Sequence, residues 1–205
     1  MLDSETVIDY GFYSNGSLLW AMICNTNGTV PTTTVRTYRP GKEIVGSISD
    51  TEQVNYAVMF QQNQVVVAGD TYLKTYDYTG IEDTSKRTLI YGWYLITSDN
   101  SYSDPLMVLV NDSQYSADSA VRDVRLMRSN MDKIIRMPFG CRDICVVGDM
   151  IYGFSADGYL MKMNYNDTSP SAYALSINID NVYGVTGDNV AVVESGSRVY
   201  MINLV

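Results

Sequence analysis

The sequence predicts an all-β chain, β-propeller-like, of about five short antiparallel units, and three observations predict it. First, a hairpin-shaped unit recurs. VVGDMIYGFSADGYLMKMN (146–164) aligns without a gap onto VTGDNVAVVESGSRVYMIN (185–203), and YGFYSNGSLLWAM (10–22) aligns onto YGFSADGYLMKMN (152–164). A repeat of about 40 residues built from short strands is what a propeller blade looks like in sequence. Second, 46% of residues are hydrophobic and only 18% charged, and there are 17 tyrosines against 4 phenylalanines and 2 tryptophans. Tyr, Val, Ile and Thr favour pleated, half-buried surfaces. Third, Asn15-Gly16 and Asp157-Gly158 are strong two-residue hairpin signals, because type I′ turns require positive φ. Chance similarity between hairpins would leave a β-sandwich as the alternative.

Taken in order, strands are expected over 6–13, 17–24, 33–39, 43–48, 54–61, 64–68 and 71–77. They continue over 88–97, 106–111, 133–137, 144–147, 150–155, 159–164, 171–177, 181–186, 189–194 and 198–204. Most are short apolar or alternating runs bounded by turn-forming clusters. QVVVA (64–68) is apolar without alternation, as a strand covered on both faces would be. Hairpins fall at 10–20, 64–77, 91–111, 150–164 and 189–203, with longer inserts around 25–50 and 112–140. Asn27-Gly28 and Gly187-Asp188 are weaker turn signals of the same kind. One stretch admits two readings. Val121, Val124, Met127, Met131 and Ile134 recur with a helical period, and Ser119 would cap such a helix. The strand reading points Val124 and Leu126 inward and turns at Ser129-Asn130; it is preferred because the flanks are all strand. No Pro/Gly/Ser tract divides the chain, so a single domain over 1–205 is expected.

Composition also excludes. A net charge of −9 and a pI near 4.3 argue against general nucleic-acid binding, which needs a basic footprint, and against docking on an anionic membrane. No run reaches the ~18 apolar residues of a membrane span, and Met1-Leu2-Asp3-Ser4-Glu5 is not a signal peptide. Assembly in the cytoplasm is therefore expected. Cys24, Cys141 and Cys145 sit among apolar neighbours and read as buried free thiols. The Asn-x-Ser/Thr sites at Asn15, Asn27, Asn111 and Asn166 read as turns. Histidine is absent, which removes Ser-His-Asp and Cys-His catalysis and most zinc sites. No phosphate-binding glycine loop and no D-x-D-x-D-G calcium loop is present. The acids, such as Asp99, Asp112, Asp157, Asp167 and Asp188, fall mostly in turns, where Asp bonds its own backbone. No catalytic residue, metal or cofactor is predicted, and a two-carboxylate hydrolase is the least favoured reading.

The run VVGDMIYGFSADGYLMKMN resembles the repeat of quinoprotein-type (PQQ-like) β-propellers, through Gly148, Asp149, Ile151, Tyr152, Ser155, Asp157, Gly158, Leu160 and Asn164. DTYLKTYDYTG (70–80) resembles the later part of that repeat. The resemblance implies adjacent strands of a blade. It covers the chain in patches, and the family's blade-docking tryptophan has no counterpart at the matching place, since Trp20 and Trp93 lie elsewhere in the unit. No quinone ligand is carried over.

Two groups of side chains are candidate interface residues. A basic cluster comprises Arg122, Arg125, Arg128, Lys133 and Arg136, with Arg142 following. It reads either as a patch that docks an acidic partner surface or a nucleic-acid backbone, or as a solvated face balanced by Asp118, Asp123, Asp132 and Asp143. An aromatic run comprises Tyr91, Trp93, Tyr94 and Tyr102, either an interface hot spot or cross-strand packing. The expectation is a non-enzymatic interaction or structural module, an oligomeric subunit whose partners are other protein chains. Its short Asn/Thr/Ser/Tyr-rich strands are similar to those of phage tail and nozzle components, which would place it in a virion. A ligand- or carbohydrate-binding propeller is the alternative.

Overall fold

The computed structural model describes residues 5–12, 19–25, 32–39, 41, 43–49, 54, 56–60, 64–99, 104, 106–111, 121–167 and 169–204. Among them the fold is all-β and propeller-like: five separate antiparallel sheets, each a meander of strands consecutive in sequence. The first sheet holds β1 (Glu5–Phe12), β2 (Leu19–Asn25), β3 (Thr32–Tyr38) and β4 (Ile44–Ser49). The second holds β5 (Tyr56–Phe60), β6 (Gln64–Ala68), β7 (Tyr72–Asp77) and β8 (Thr88–Leu89). The third holds β9 (Trp93–Asp99), β10 (Leu106–Asn111), β11 (Val121–Arg128) and β12 (Met131–Cys141). The fourth holds β13 (Asp143–Val147), β14 (Met150–Phe154), β15 (Tyr159–Asn164) and β16 (Ser171–Ala174). The fifth has three strands, β17 (Asn181–Val185), β18 (Val190–Ser195) and β19 (Arg198–Asn203).

Each of the five expected hairpins falls in a different sheet. The apparent inserts around 25–50 and 112–140 are the remaining strands of the first and third sheets, β3–β4 and β11–β12. The helical reading of 117–135 is overturned. Residues 121–128 and 131–141 are strands joined by a turn at Ser129-Asn130, and Val124 and Leu126 are fully buried. A helix-like period arose there because Val124, Leu126 and Met127 are all covered, so burial does not follow strict alternation. Ser119 lies outside the described residues, as do Asn15-Gly16 and Asn27-Gly28. The expected strand over 88–97 is two strands, broken at Tyr91-Gly92, where Gly92 adopts φ 81. The strand expected over 171–177 stops at Ala174, just before Ser176, whose φ is 60.

The repeat has a structural meaning finer than its alignment. β15 and β19 coincide over their whole length when the two runs are aligned. The strands before them do not. Met161 faces Gly153, whereas its counterpart Tyr200 faces Val193 and not Val192, the counterpart of Gly153. The middle strand has slipped by one. The turn before it is a residue longer, with Thr186 bonded to Val190, whereas Val147 faces Met150 directly. Since successive strand side chains point to opposite faces, the slip exchanges the faces of β18 relative to the aligned sequence. The echo at 10–22 joins β1 and β2, the first two strands of a sheet, whereas its aligned partner joins the second and third.

The chain divides into two compact units, one of Met1–Tyr94 with Asn100–Pro105, the other of Leu95–Asp99 with Leu106–Val205. In the first, Trp20, Met22, Val35 and Ile48 pack against Val54, Ala57, Val65, Val67 and Tyr76, filling the space between its two sheets. The Thr37 hydroxyl donates to the Tyr78 carbonyl at 2.5 Å and ties those sheets together. β6 is covered on both faces, Val65 to Ala68 all being buried, as its unalternating sequence predicts. In the second unit Tyr152, Phe154, Leu160, Ile179, Ala191, Val193 and Leu204 form the core between the fourth and fifth sheets.

Candidate interaction surface

The register of β11 with β12 divides the basic cluster between two faces. Directly opposed residues of an antiparallel pair lie on the same face. Asp123 faces Arg136, Arg125 faces Ile134 and Met127 faces Asp132, so Arg125 and Arg136 share one face. Leu126 faces Lys133 and Arg128 faces Met131, so Arg128 and Lys133 share the other. The five cations therefore do not form one patch.

On the first face the guanidinium of Arg125 makes a two-pronged bond to Asp132, Nε to Oδ1 at 2.8 Å and NH2 to Oδ2 at 2.7 Å. Arg125 holds the Asp132 carboxyl below its usual range. Arg136 approaches Asp123 at 3.6 Å from an exposed position. Between these pairs Ile134 stands 62% exposed. On the other face Arg128 reaches the turn before β14, bonding Asp149 at 2.6 Å. It also lies 4.3 Å from the centroid of the Tyr165 ring, in cation–π contact. Lys133 donates to the Tyr165 carbonyl. These two cations thus clamp the third sheet to two turns of the fourth, and the Nε of Arg128 is buried with no hydrogen-bond partner among the described residues. Arg122 is exposed beside the irregular stretch of the β11–β12 ladder. Asp149 and Tyr165 were not anticipated as partners. Asp149 lies far from Arg128 along the chain, in the next sheet, and no local spacing signals a contact at that range.

The aromatic run is divided as well. Tyr91 projects from the turn between β8 and β9, 78% exposed, while Trp93 and Tyr94 are half-buried. Being consecutive on β9, these two point to opposite faces. Tyr102 lies outside the described residues. Among the exposed apolar residues that sequence reasoning missed are Val199 at 62% and Met201 at 81%, on one face of β19. Alternation in RVYMIN was their signal, since Tyr200 and Ile202 turn inward to the core.

The described thiols are not nucleophiles at neutral pH. Burial, with Asp143 nearby, pushes Cys141 and Cys145 up to about 12. Burial also raises Asp143 itself. Among the described residues no three His, Cys, Asp or Glu side chains gather as metal ligands.

No family model matches the chain, and no curated protein matches it. Solved structures do. A prolyl endopeptidase superposes with a TM-score of 0.70 at 11% identity, over 98% of this chain and 33% of that one. An oligogalacturonate lyase in complex with manganese gives 0.69 at 10% identity, over 100% and 67%. Prolyl oligopeptidase B from Galerina marginata gives 0.66 at 8% identity, over 98% and 34%. The chain thus spans about a third of the two peptidases. These are β-propeller-type proteins, and at such identities the likeness is one of fold.

Proposed function

We propose that this protein is a structural, protein-binding subunit of a larger assembly, such as a phage tail or nozzle. The supporting observation is the way its side chains are used. Polar groups that would serve chemistry are engaged within the chain: Arg125 with Asp132, Arg128 with Asp149, and thiols held protonated by burial. Large apolar groups are instead presented outward, including Tyr10, Tyr91, Ile134, Val199 and Met201. Of these, Val199 and Met201 lie side by side on one face of β19, and neighbouring exposed apolar side chains favour contact with other proteins. The test is imaging of native complexes from the producing cell or particle, with the chain carrying a visible tag. Density for the tag at repeating positions is expected; migration only as a free 22.9 kDa species in that lysate would overturn the reading.

Ligand or carbohydrate binding is a second reading, favoured by one aromatic pair. Phe139 and Tyr159 lie 5.9 Å apart, tilted by 41°, with Tyr159 about half exposed. Aromatic faces of this kind stack on sugar rings. A glycan array that binds the protein but not Tyr159→Ala would support it, and an empty array would remove it.

A further inference from the structure

Three sulfur side chains meet over Gly153. Cys141 and Met137 come from β12 of the third sheet, Met161 from β15 of the fourth, and Gly153 lies on β14 beside it. The first atoms that a Cβ on Gly153 would meet are the Cys141 Sγ at 2.7 Å, the Met137 methyl at 3.1 Å and the Met161 methyl at 3.3 Å. All three side chains are buried, with Cys141 1%, Met137 3% and Met161 0% exposed. Met161 faces Gly153 directly across the β14–β15 ladder, so register alone places it there.

The two residues of β12 need a different explanation. They stand four apart, and in a regular strand such residues lie about 13 Å from one another. They converge because β12 bulges. Two steps along β11, from Val121 to Asp123, answer five along β12, from Arg136 to Cys141. Pro138 falls in the surplus and has no N–H to give the ladder. Bulges re-aim side chains and recur beside functional sites. This one brings a thiol and a thioether of one sheet to the same point as a thioether of the next.

We propose that these side chains form a site for monovalent copper, Cu(I), held by the Cys141 thiolate and the Met137 and Met161 thioethers. Thiolate and thioether donors are soft and select Cu(I). Zinc takes thiolate, imidazole and carboxylate, and of the three donors at this point only Cys141 qualifies. Cu(I) on a single thiolate also carries no net charge into the interior. As the ion binds, the S–H bond of Cys141 breaks, an S–Cu bond forms and the proton passes to solvent. Copper stays in the +1 state, so no electron acceptor is needed. The thiol gives up only a long contact with the Phe139 carbonyl, at 3.9 Å. Methionine is flexible enough for each sulfur to turn toward the thiolate. Pro138 and Arg142 are exposed, so the bulge carrying two of the ligands is itself at the surface. A copper ion bound there would staple the third sheet to the fourth, whatever the protein assembles with.

The test is anaerobic titration of the reduced chain with Cu(I) in competition with the chelator bathocuproine disulfonate. The wild-type chain is expected to hold one ion, with a sulfur-only shell in X-ray absorption and a raised thermal midpoint. Met137→Leu and Met161→Leu conserve volume and leave every cysteine in place. Each is expected to keep its circular dichroism spectrum and to bind Cu(I) about tenfold or more weakly, while Cys141→Ser abolishes binding. If one leucine variant fails to fold, the other decides. Cys145 packs toward the fifth sheet, so Cys145→Ser should bind as the wild type does, and so should Cys24→Ser. A wild-type chain that yields all its copper to the chelator overturns the site. So does a folded leucine variant that binds like the wild type, since cysteine alone would then hold the ion. Binding lost in Cys145→Ser or Cys24→Ser but kept in Cys141→Ser overturns it as well.

Discussion

At the scale of single residues, space decides what a substitution costs. Gly158 and Gly92 both adopt φ 81, a conformation that L side chains rarely take. A Cβ on Gly158 would lie 1.9 Å from the Ile177 carbonyl oxygen, whereas one on Gly92 would meet nothing within 4 Å. Gly92→Ala should therefore cost only the backbone strain, about 1–2 kcal/mol. Gly158→Ala should cost that and a forced shift of the chain at Ile177, on the order of 3 kcal/mol or more. Urea unfolding midpoints of the two variants check the order, and equal losses would contradict it. Cysteine reactivity is a second consequence. With values pushed up to about 12 from 9.0, Cys141 and Cys145 carry about a thousandfold less thiolate at pH 8 than an ordinary thiol. Peptide mapping after iodoacetamide should find both unmodified in the folded chain and alkylated in urea.

At the scale of elements, the β11–β12 hairpin shows how position separates arginines that look alike in sequence. Arg128 is held by Asp149 and the Tyr165 ring with its side chain only 12% exposed, whereas the Arg136 side chain is 71% exposed and 3.6 Å from its carboxylate. Arg128→Lys gives up the planar contacts and should cost roughly 1–2 kcal/mol. Arg136→Lys should change stability by less than about 0.5 kcal/mol. Denaturant titrations that ranked them the other way would refute the assignment. Asp132 supplies the pH dependence of this hairpin. Its folded value is lowered by Arg125, so its stabilisation is present above the unfolded value of about 3.9 and is lost as pH falls through the folded one. Asp132→Asn should accordingly weaken the acid limb of the stability profile by a fraction of a kcal/mol, because the carboxylate is half exposed.

Most strands of this kind were legible because turn chemistry and apolar runs are local. Gln64–Ala68 and Tyr159–Asn164 begin and end where the sequence places them. What was not legible depended on the pairing of strands and on backbone conformation at single residues. The clustering of Arg125, Arg128, Lys133 and Arg136 in sequence concealed a division across two faces that only the register of β12 determines. Likewise Tyr91 marked a turn rather than the start of a strand, because Gly92 takes a positive φ there.

At the scale of the whole molecule, the titratable inventory makes a simple forecast. The chain has no histidine, and its two described thiols titrate near 12. Held protonated in the folded chain but free to ionise near about 8.5 once unfolded, the two thiols contribute stability that is fully present below that value and is lost as pH rises from it toward about 12. A scanning calorimetry series should show the thermal midpoint falling from about pH 8 to 10, and a level midpoint across that range would contradict their burial. The sheet count was readable from five hairpins because each blade contributes one well-marked turn, but the slip of β18 was not. It is the product of a lengthened turn before the strand and a shortened one after it, which cancel in the alignment. That compensation carries a warning for anyone grafting one repeat into the place of the other. A chimaera joined where the letters match would present Tyr152 and Phe154 at the positions of Ala191 and Val193, turning the strand inside out. Offsetting the splice by a single residue would restore its inward side.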